Sequence, residues 1–286
     1  MSNVYTLKLD SKQENKLFET FKESKTKAPQ YAKWQLKCEN CVITCYQSGK
    51  TVFQGKDADT YASAFINIPK QESISKDTLP QAGSDEVGTG DYFGPVVVCA
   101  SIVDEYTDSL LKDLGVRDSK QLNDNDILEI APKIIQRVPH SLLIVDNEKY
   151  NEVHKTNNLN AIKAKLHNQA YVHLAKKYGL PKLMIIDQFT PENNYYKYLS
   201  GQPDIIRNIH FETKAEDKYI SVGTSSVIAR YAFLKKMEEM DKTWNMHFCL
   251  GAGTNVDQCA KEFVQKYGFD SLKKVAKLHF KNTEKL

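Results

Sequence analysis

Two adjacent carboxylates, Asp85 and Glu86, stand near the head of the stretch Gly83-Ser84-Asp85-Glu86-Val87-Gly88-Thr89-Gly90-Asp91-Tyr92-Phe93-Gly94-Pro95. Neighbouring carboxylates repel, and the repulsion is relieved when a proton or a cation comes between them. The glycines at 88, 90 and 94 let the backbone adopt positive φ and let a ligand lie against bare main chain. The combination points to a hard divalent ion held beside a phosphate or a sugar. Standing alone, an Asp-Glu pair reads equally well as the solvated end of a strand before an ordinary turn. Two acids farther along favour the ion. Asp187 ends the apolar run Leu183-Met184-Ile185-Ile186, and the carboxyl end of a core strand is where α/β sheets bind ligands. A helix cap after Pro191 is its competing role. Glu216 precedes Ser221-Val222-Gly223-Thr224-Ser225-Ser226, which leads into a helix carrying Arg230; hydroxyls and a helix N-terminus would there approach a phosphate. Without that context Glu216 and Asp217 would pass for surface charge.

Asp85, Glu86, Asp187 and Glu216 offer only oxygen, a donor set that suits magnesium or manganese. Two hard ions so held can activate water and stabilise the leaving oxygen of a phosphodiester. One conflict arises at once. Consecutive strand residues face opposite sides, so either the chain turns at Val87-Gly88 or one of the pair contributes through its carbonyl. Cys38, Cys41 and Cys45 look like half a zinc site, but no matching Cys/His pair follows, and strand positions account for them better.

The elements that must position these acids read as an alternating α/β domain over 83–286. Strands are expected at Pro95–Val103, Ser141–Asp146, Lys182–Asp187 and Ile205–His210, and helices at Asp108–Leu114, Asp124–Gln136, Leu159–Tyr178, Ser225–Met240, Asn255–Tyr267 and Ser271–Leu278. Residues 1–68 read as a smaller α/β unit. Val4–Leu9 alternates like a strand, an amphipathic helix carries Leu17, Phe18 and Phe21, and strands follow at Tyr31–Lys37, Cys41–Tyr46 and Thr51–Gln54. Ser48-Gly49-Lys50 makes a hairpin turn between the last two, and a helix over Lys56–Ile68 closes the unit. Tyr31, Trp34 and Tyr46 lie among Lys33, Lys37 and Lys50; that face could stack on bases or sugars and pair with phosphates, or the aromatics could simply fill the core. Residues 69–82 are polar and aperiodic, a linker.

At 286 residues, 41% hydrophobic and 26% charged, the chain has an ordinary globular composition. It has no apolar run near the roughly 18–20 residues of a membrane span and no signal-peptide pattern at its start. A cytoplasmic location is expected, and nothing argues against a monomer. Net charge is only +3, but its distribution is uneven. Residues 1–68 hold ten Lys/Arg against seven acids, and residues 261–286 hold seven lysines against three acids. Basic ends around an acidic middle suit a polyanion held by the flanks and cut in the centre.

The segment Gly83–Pro95 resembles the opening motif of the type 2 ribonucleases H, in the form found in ribonuclease HIII. Further similar segments are Arg117-Asp118-Ser119-Lys120-Gln121-Leu122, Asn158-Leu159-Asn160, Lys163-Ala164, Leu166-His167-Asn168 and Ile186-Asp187-Gln188-Phe189. Lys214-Ala215-Glu216, Val222–Arg230, Gly251-Ala252-Gly253-Thr254 and Leu278-His279-Phe280-Lys281-Asn282-Thr283 continue the likeness over nearly the whole chain. The resemblance implies a ribonuclease H-like α/β catalytic domain. It also implies that residues 1–68 are a TATA-box-binding-protein-like domain that grips an RNA/DNA hybrid. By the same resemblance Asp85, Glu86, Asp187 and Glu216 are the catalytic acids. Asp85, Glu86 and Asp187 hold metal, and Glu216 positions the second ion or the attacking water. Gly88-Thr89-Gly90 reads the ribose 2′-hydroxyl, and Lys120, Lys214 and Ser225 are further substrate contacts. Thr89 between the glycines, Glu216 as fourth acid and the extra domain separate the chain from ribonuclease HII, which incises at single ribonucleotides in duplex DNA. The expected activity is hydrolysis of the RNA strand of a hybrid, and a non-catalytic hybrid-binding protein is the alternative outside the enzymes.

Overall fold

The computed structural model describes residues 3–63, 78–116 and 122–286. The chain divides into two compact units, Met1–Ile74 and Ser75–Leu286. Most of the expected linker, the end of the helix expected over Lys56–Ile68, and Lys120 fall outside the described residues.

The first unit is an antiparallel sheet with helices packed against it. Its described elements are β1 (Asn3–Lys8), α1 (Ser11–Thr20), β2 (Lys25–Thr26), β3 (Ala32–Cys38), β4 (Cys41–Tyr46), β5 (Lys50–Gly55) and α2 (Ala58–Ser63). The strand order is β1-β5-β4-β3-β2. Asp10 starts α1 with a capping box: its carboxylate accepts the amide of Gln13 at 2.8 Å, and the Gln13 side chain accepts the amide of Asp10 at 3.1 Å. Leu17 of α1 then packs with Trp34, Leu36, Ile43, Cys45 and Phe53. Cys41, Ile43 and Cys45 alternate along β4, so the period of two puts both cysteines in the core.

The second unit is built on a mixed sheet of order β10-β9-β6-β7-β8. In chain order it runs β6 (Gln81–Val87), β7 (Val96–Val103), α3 (Glu105–Asp113), α4 (Asp124–Ile135), β8 (His140–Val145), α5 (Asn147–His154) and α6 (Leu159–Tyr178). Then come β9 (Leu183–Asp187), α7 (Glu192–Tyr198), β10 (His210–Glu212), α8 (Ile220–Trp244) and α9 (Thr254–Tyr267). β6 pairs parallel with β9 and antiparallel with β7. β7 explains why a continuous apolar run belongs in the middle of the sheet. Val97, Cys99 and Val103 enter the core beneath α8, while Val98 and Ala100 enter the core beneath α6.

Four expectations change. β6 begins at Gln81, inside the stretch read as linker. α8 begins at Ile220 rather than Ser225, so the Ser221–Ser226 stretch is helix and not loop. Its small residues let the helix lie against β6: a Cβ on Gly83 would stand 2.4 Å from the amide nitrogen of Val222. The strand expected at Ile205–His210 shrinks to His210–Glu212, because Asn208 has φ +60° and the side chain of Asn168 takes the backbone of Asp204 and Ile206 instead of a ladder. Residues 271–278 form no helix beyond a 3-10 turn over Phe269–Lys274. α5 and α7 were not visible in the sequence pattern.

Candidate active site

The register of β6 and β9 pairs Ser84 with Ile186, so the next residues, Asp85 and Asp187, come side by side at the carboxyl ends of parallel strands. Glu216 joins them from a 3-10 turn, Ala215–Asp217, entered through Lys214 in the left-handed conformation (φ +55°). That turn is tied to β9: the amide of Ala215 donates to Oδ1 of Asp187 at 2.9 Å. Asp85, Glu86, Asp187 and Glu216 line one open cleft of about 500 Å³, together with Ser226 and Arg230. Arg230 is held by a bidentate pair to Asp124 of α4, both contacts 2.9 Å, so its remaining donor edge borders the cleft in a fixed place.

β6 stays in regular register through Val87, so Asp85 and Glu86 do leave the strand on opposite sides, and of the two alternatives the backbone carbonyl remains. Gly83 faces α8, and Asp85 follows on that side, where Ser226 hydrogen-bonds its carboxylate. Ser84 and Glu86 face α6. Burial, then the charge of Glu86 and that of Asp187, push Asp85 up to about 7 against the pull of the Ser226 and Glu86 hydrogen bonds. Asp187 is raised too, by burial first and then by Glu216 and Glu86, although the Ala215 amide opposes this. Burial first, and the neighbouring carboxylates after it, hold Asp85 and Asp187 away from ionisation, and a cation in the cleft would relieve both. The all-oxygen donors fit magnesium or manganese. Among the described residues, no group of three or more His, Cys, Asp or Glu side chains is drawn together tightly enough to hold an ion as it stands, although the carboxyls of Asp187 and Glu216 already meet.

Glu86 is the exception, since it already has the Lys163 ammonium and the His167 ring against it. Burial alone would raise it, yet hydrogen bonding and charge from His167 and Lys163 leave it below the usual carboxylate range. Lys163 pairs with Oε1, and Nε2 of His167 lies 2.7 Å from Oε2. Nδ1 of His167 lies 2.6 Å from the Ser84 hydroxyl; with Ser84 donating there, Nε2–H is left to donate to the carboxylate. The Phe189 ring, two residues after Asp187, stacks on His167 (centroids 5.4 Å) and lies 4.1 Å from the Lys163 ammonium. Lys163 and His167 sit four apart on α6, hence on one face. Both residues lie in segments that resemble the family, but nothing local in the sequence gives either a role. Their spacing was the available signal, but the partner 81 positions away from His167 was not.

The glycines of the loop do different jobs. Gly88 has φ +90°, and a Cβ there would lie 2.2 Å from the Pro95 carbonyl oxygen. Gly90 has neither constraint: its φ is not positive, and an added Cβ would meet nothing within 4 Å. Packing does not ask for glycine at 90, which leaves close approach of a ligand as the physical reason for it. Thr89 between them is half-buried, and Lys214 is exposed. Ser225 is not available to a substrate. It is buried, and its hydroxyl donates to the Gly83 carbonyl at 2.8 Å and lies 3.0 Å from that of Ser101; its neighbour Ser226 lines the cleft instead.

On the first unit, the open face of the sheet carries a cleft of about 560 Å³ lined by Thr6, Tyr31, Tyr46, Gln47, Ser48, Lys50 and Val52. Tyr31 is 71% exposed. Trp34, expected as a possible stacking residue, belongs to the core against Phe18, and Lys33 is occupied by Glu14 at 2.8 Å.

The chain matches known proteins along its length. The family described as Ribonuclease HII matches residues 82–283, and a domain of unknown function (DUF3378) matches residues 5–78. Ribonuclease HIII of Bacillus anthracis is 41% identical over 305 aligned positions, covering 100% of this chain and 98% of the relative. Ribonuclease HIII of Listeria monocytogenes serotype 4b is 43% identical, covering 92% and 90%. A crystal structure of Bst-RNase HIII in complex with Mn2+ superposes with a TM-score of 0.71 at 37% identity, covering 99% of this chain and 97% of that one.

Proposed function

We infer the function from one premise: the chain belongs to the ribonuclease HII family, and to the ribonuclease HIII branch of it. It is an endoribonuclease that hydrolyses the RNA strand of RNA/DNA hybrids. The fold is ribonuclease H-like, with an N-terminal unit of the TATA-box-binding-protein type. The observation that carries the site assignment is the cleft shared by four acids from three separate segments, two of them ending neighbouring parallel strands.

In this reading Asp85 and Asp187 by their carboxylates, and Glu86 by its backbone carbonyl because Lys163 and His167 occupy its carboxylate, would hold magnesium or manganese, which when bound supplies the positive charge that activates water and steadies the leaving oxygen. Asp187 keeps one oxygen on the Ala215 amide, and its carboxyl also meets that of Glu216. Lys163 and His167 keep Glu86 ionised and oriented. Glu216 orients the attacking water. Water adds to phosphorus in line, and the bond to the 3′-oxygen breaks, leaving 5′-phosphate and 3′-hydroxyl ends. Gly88-Thr89-Gly90 meets the ribose with backbone, and bare backbone at Gly90 suits a 2′-hydroxyl. Lys214, exposed beside Glu216, and Lys120 contact phosphate. Residues 1–68 bind the hybrid through Tyr31, Tyr46 and Lys50, residues 69–82 connect, and residues 83–286 cut. No described helix is long and apolar enough to cross a membrane, and six free cysteines suit a reducing cytoplasm. The protein acts as a monomer.

Asp85→Asn should abolish cleavage while leaving hybrid binding close to wild type; turnover retained at saturating magnesium would remove Asp85 from the mechanism. An all-RNA/DNA hybrid and a DNA duplex with one ribonucleotide, compared side by side, test the branch. Preference for the second would overturn the assignment.

A further inference from the structure

Lys277 is a lysine with no exposed surface. Its ammonium lies 2.8 Å from the carbonyl oxygen of Asp91, 2.5 Å from that of Gly94 and 3.5 Å from that of Phe93. Its own amide donates to the carbonyl of Tyr92 at 2.9 Å. Every carbonyl from Asp91 to Gly94 is thus taken by this one residue. Among the described residues it makes no ion pair; the Asp91 carboxylate receives the Gly251 amide at 2.7 Å. Burying a lysine without a carboxylate is expensive, and burial pushes this one down to about 7. An apolar residue would be cheaper there unless the converging carbonyls needed a donor. They do, because backbone carbonyls left unpaired in a core carry their own cost.

The same segment is held from several sides. Gly94 donates to the carbonyl of Val275 at 3.0 Å, Phe93 bridges to Ala276, and Tyr92 donates to the carbonyl of Gly251 at 2.8 Å. The Asn147 side chain adds a bond to the Gly94 carbonyl at 2.9 Å. Residues 88–90 come directly before this fixed stretch and are tied to it: the carbonyl of Gly88, a buried positive-φ joint, takes the Asp91 amide at 3.4 Å, while Gly90 has open space around it.

We propose that Lys277 is a positioning residue for the substrate-reading loop: by gathering the carbonyls of residues 91–94 it sets where Gly88-Thr89-Gly90 stands against the ribose. The proposal rests on the reading that this loop meets the sugar. It assigns Lys277 no contact with substrate or metal, and it predicts a defect in recognition with chemistry largely spared.

The test uses the full-length protein and its Lys277→Met and Lys277→Gln variants, the second keeping N–H donors without the charge. For each, kcat and KM are measured on an RNA/DNA hybrid, with inhibition by a DNA duplex of the same sequence, and the melting-temperature shift on adding manganese. Lys277→Met should raise KM about tenfold with kcat within about threefold, and cut the preference for hybrid over DNA by a similar factor, the scale expected when a site loses its fit to a hydroxyl. Lys277→Gln should fall between Met and wild type, and the manganese shift should be unchanged in both. A purely structural lysine would lower the melting temperature and leave KM and the preference alone, and that result overturns the proposal. If the Met variant does not fold, wild-type KM and preference in the Gln variant overturn it. If wild type itself showed no preference for hybrid, the loop reading would fall first, and Lys277 with it.

Discussion

Replacing Asp85 by Asn should make the metal-free protein more stable while it removes catalysis. The carboxyl of Asp85 is raised from 3.8 to about 7, so the folded state binds a proton that the unfolded chain has already released between those values. Its contribution to stability is present below the unfolded value and lost as pH rises through about 7. Taken at face value, about three pKa steps at about 1.4 kcal/mol each give about 4 kcal/mol of strain at pH 8. Asp85 is only partly covered, and solvent screening reduces this to about 1–2 kcal/mol. Asn keeps an oxygen for the Ser226 and Glu86 hydrogen bonds and cannot ionise. In EDTA at pH 8 the transition of the catalytic unit should therefore move up by about 2–8 °C in Asp85→Asn, using about 2–4 °C per kcal/mol for a unit of this size. Near pH 4 the gain should vanish. Adding magnesium or manganese should raise the wild-type transition and leave the variant nearly where it was. A variant equal to or less stable than wild type at pH 8, or a gain that does not change with pH, would refute the account of the acids as a mutually strained cation site.

Three other perturbations probe the surroundings of that cluster. Lys163→Met leaves the buried Glu86 carboxylate with His167 alone, which should cost about 3 kcal/mol in urea unfolding at neutral pH. Because Glu86 is lowered in the folded state, that cost should fade as pH falls through its lowered range, and an unchanged midpoint at pH 7 would mean Lys163 does not hold it. Gly90→Ala meets nothing within 4 Å, so its melting temperature should stay within about 1 °C of wild type while KM for hybrid rises; unchanged kinetics would take the backbone at 90 out of recognition. A chain beginning near Lys76 should keep its turnover and lose mainly affinity, with a shallower salt dependence of hybrid binding because fewer phosphates are neutralised. Equal affinity and an equal salt slope would give residues 1–68 another job.

What could be read in advance was set by local rules, and what could not was set by partners distant in sequence. The bounds of α6 and β4 matched because helix punctuation at Asn158 and Gly179, and strand alternation at 41–46, act within a few residues. Asp187 was found for the same reason, since it ends an apolar strand. The Ser221–Ser226 stretch misled because serine and glycine favour loops in isolation. Here Ser221 bonds Gln81 and Ser225 bonds Gly83, so β6 supplies the partners that let a helix carry them. That also moved the cleft-lining hydroxyl by one residue, from Ser225 to Ser226. Lys163 and His167 have no role legible in the sequence, because only the folded sheet brings Glu86 to them.

Charge counting shows the same limit. The seven lysines of residues 261–286 were read as part of a basic flank, yet they are not equivalent. Lys277 is buried on carbonyls, Lys285 pairs with Asp257, and Lys266 reaches the carbonyl of Asn245. In the first unit Lys33 and Lys22 answer to Glu14 and Glu19. Exposed pairs like these are weak and a phosphate can compete for them, but a buried lysine cannot leave its carbonyls for a passing backbone. In the proposed reading the polyanion footprint is therefore smaller than the sequence total and would fall to exposed lysines such as Lys50, which lines a cleft with Tyr31 and Tyr46. That makes the salt slope sensitive to Lys50→Ala and insensitive to Lys277→Met, even though each substitution removes one positive charge from the same count.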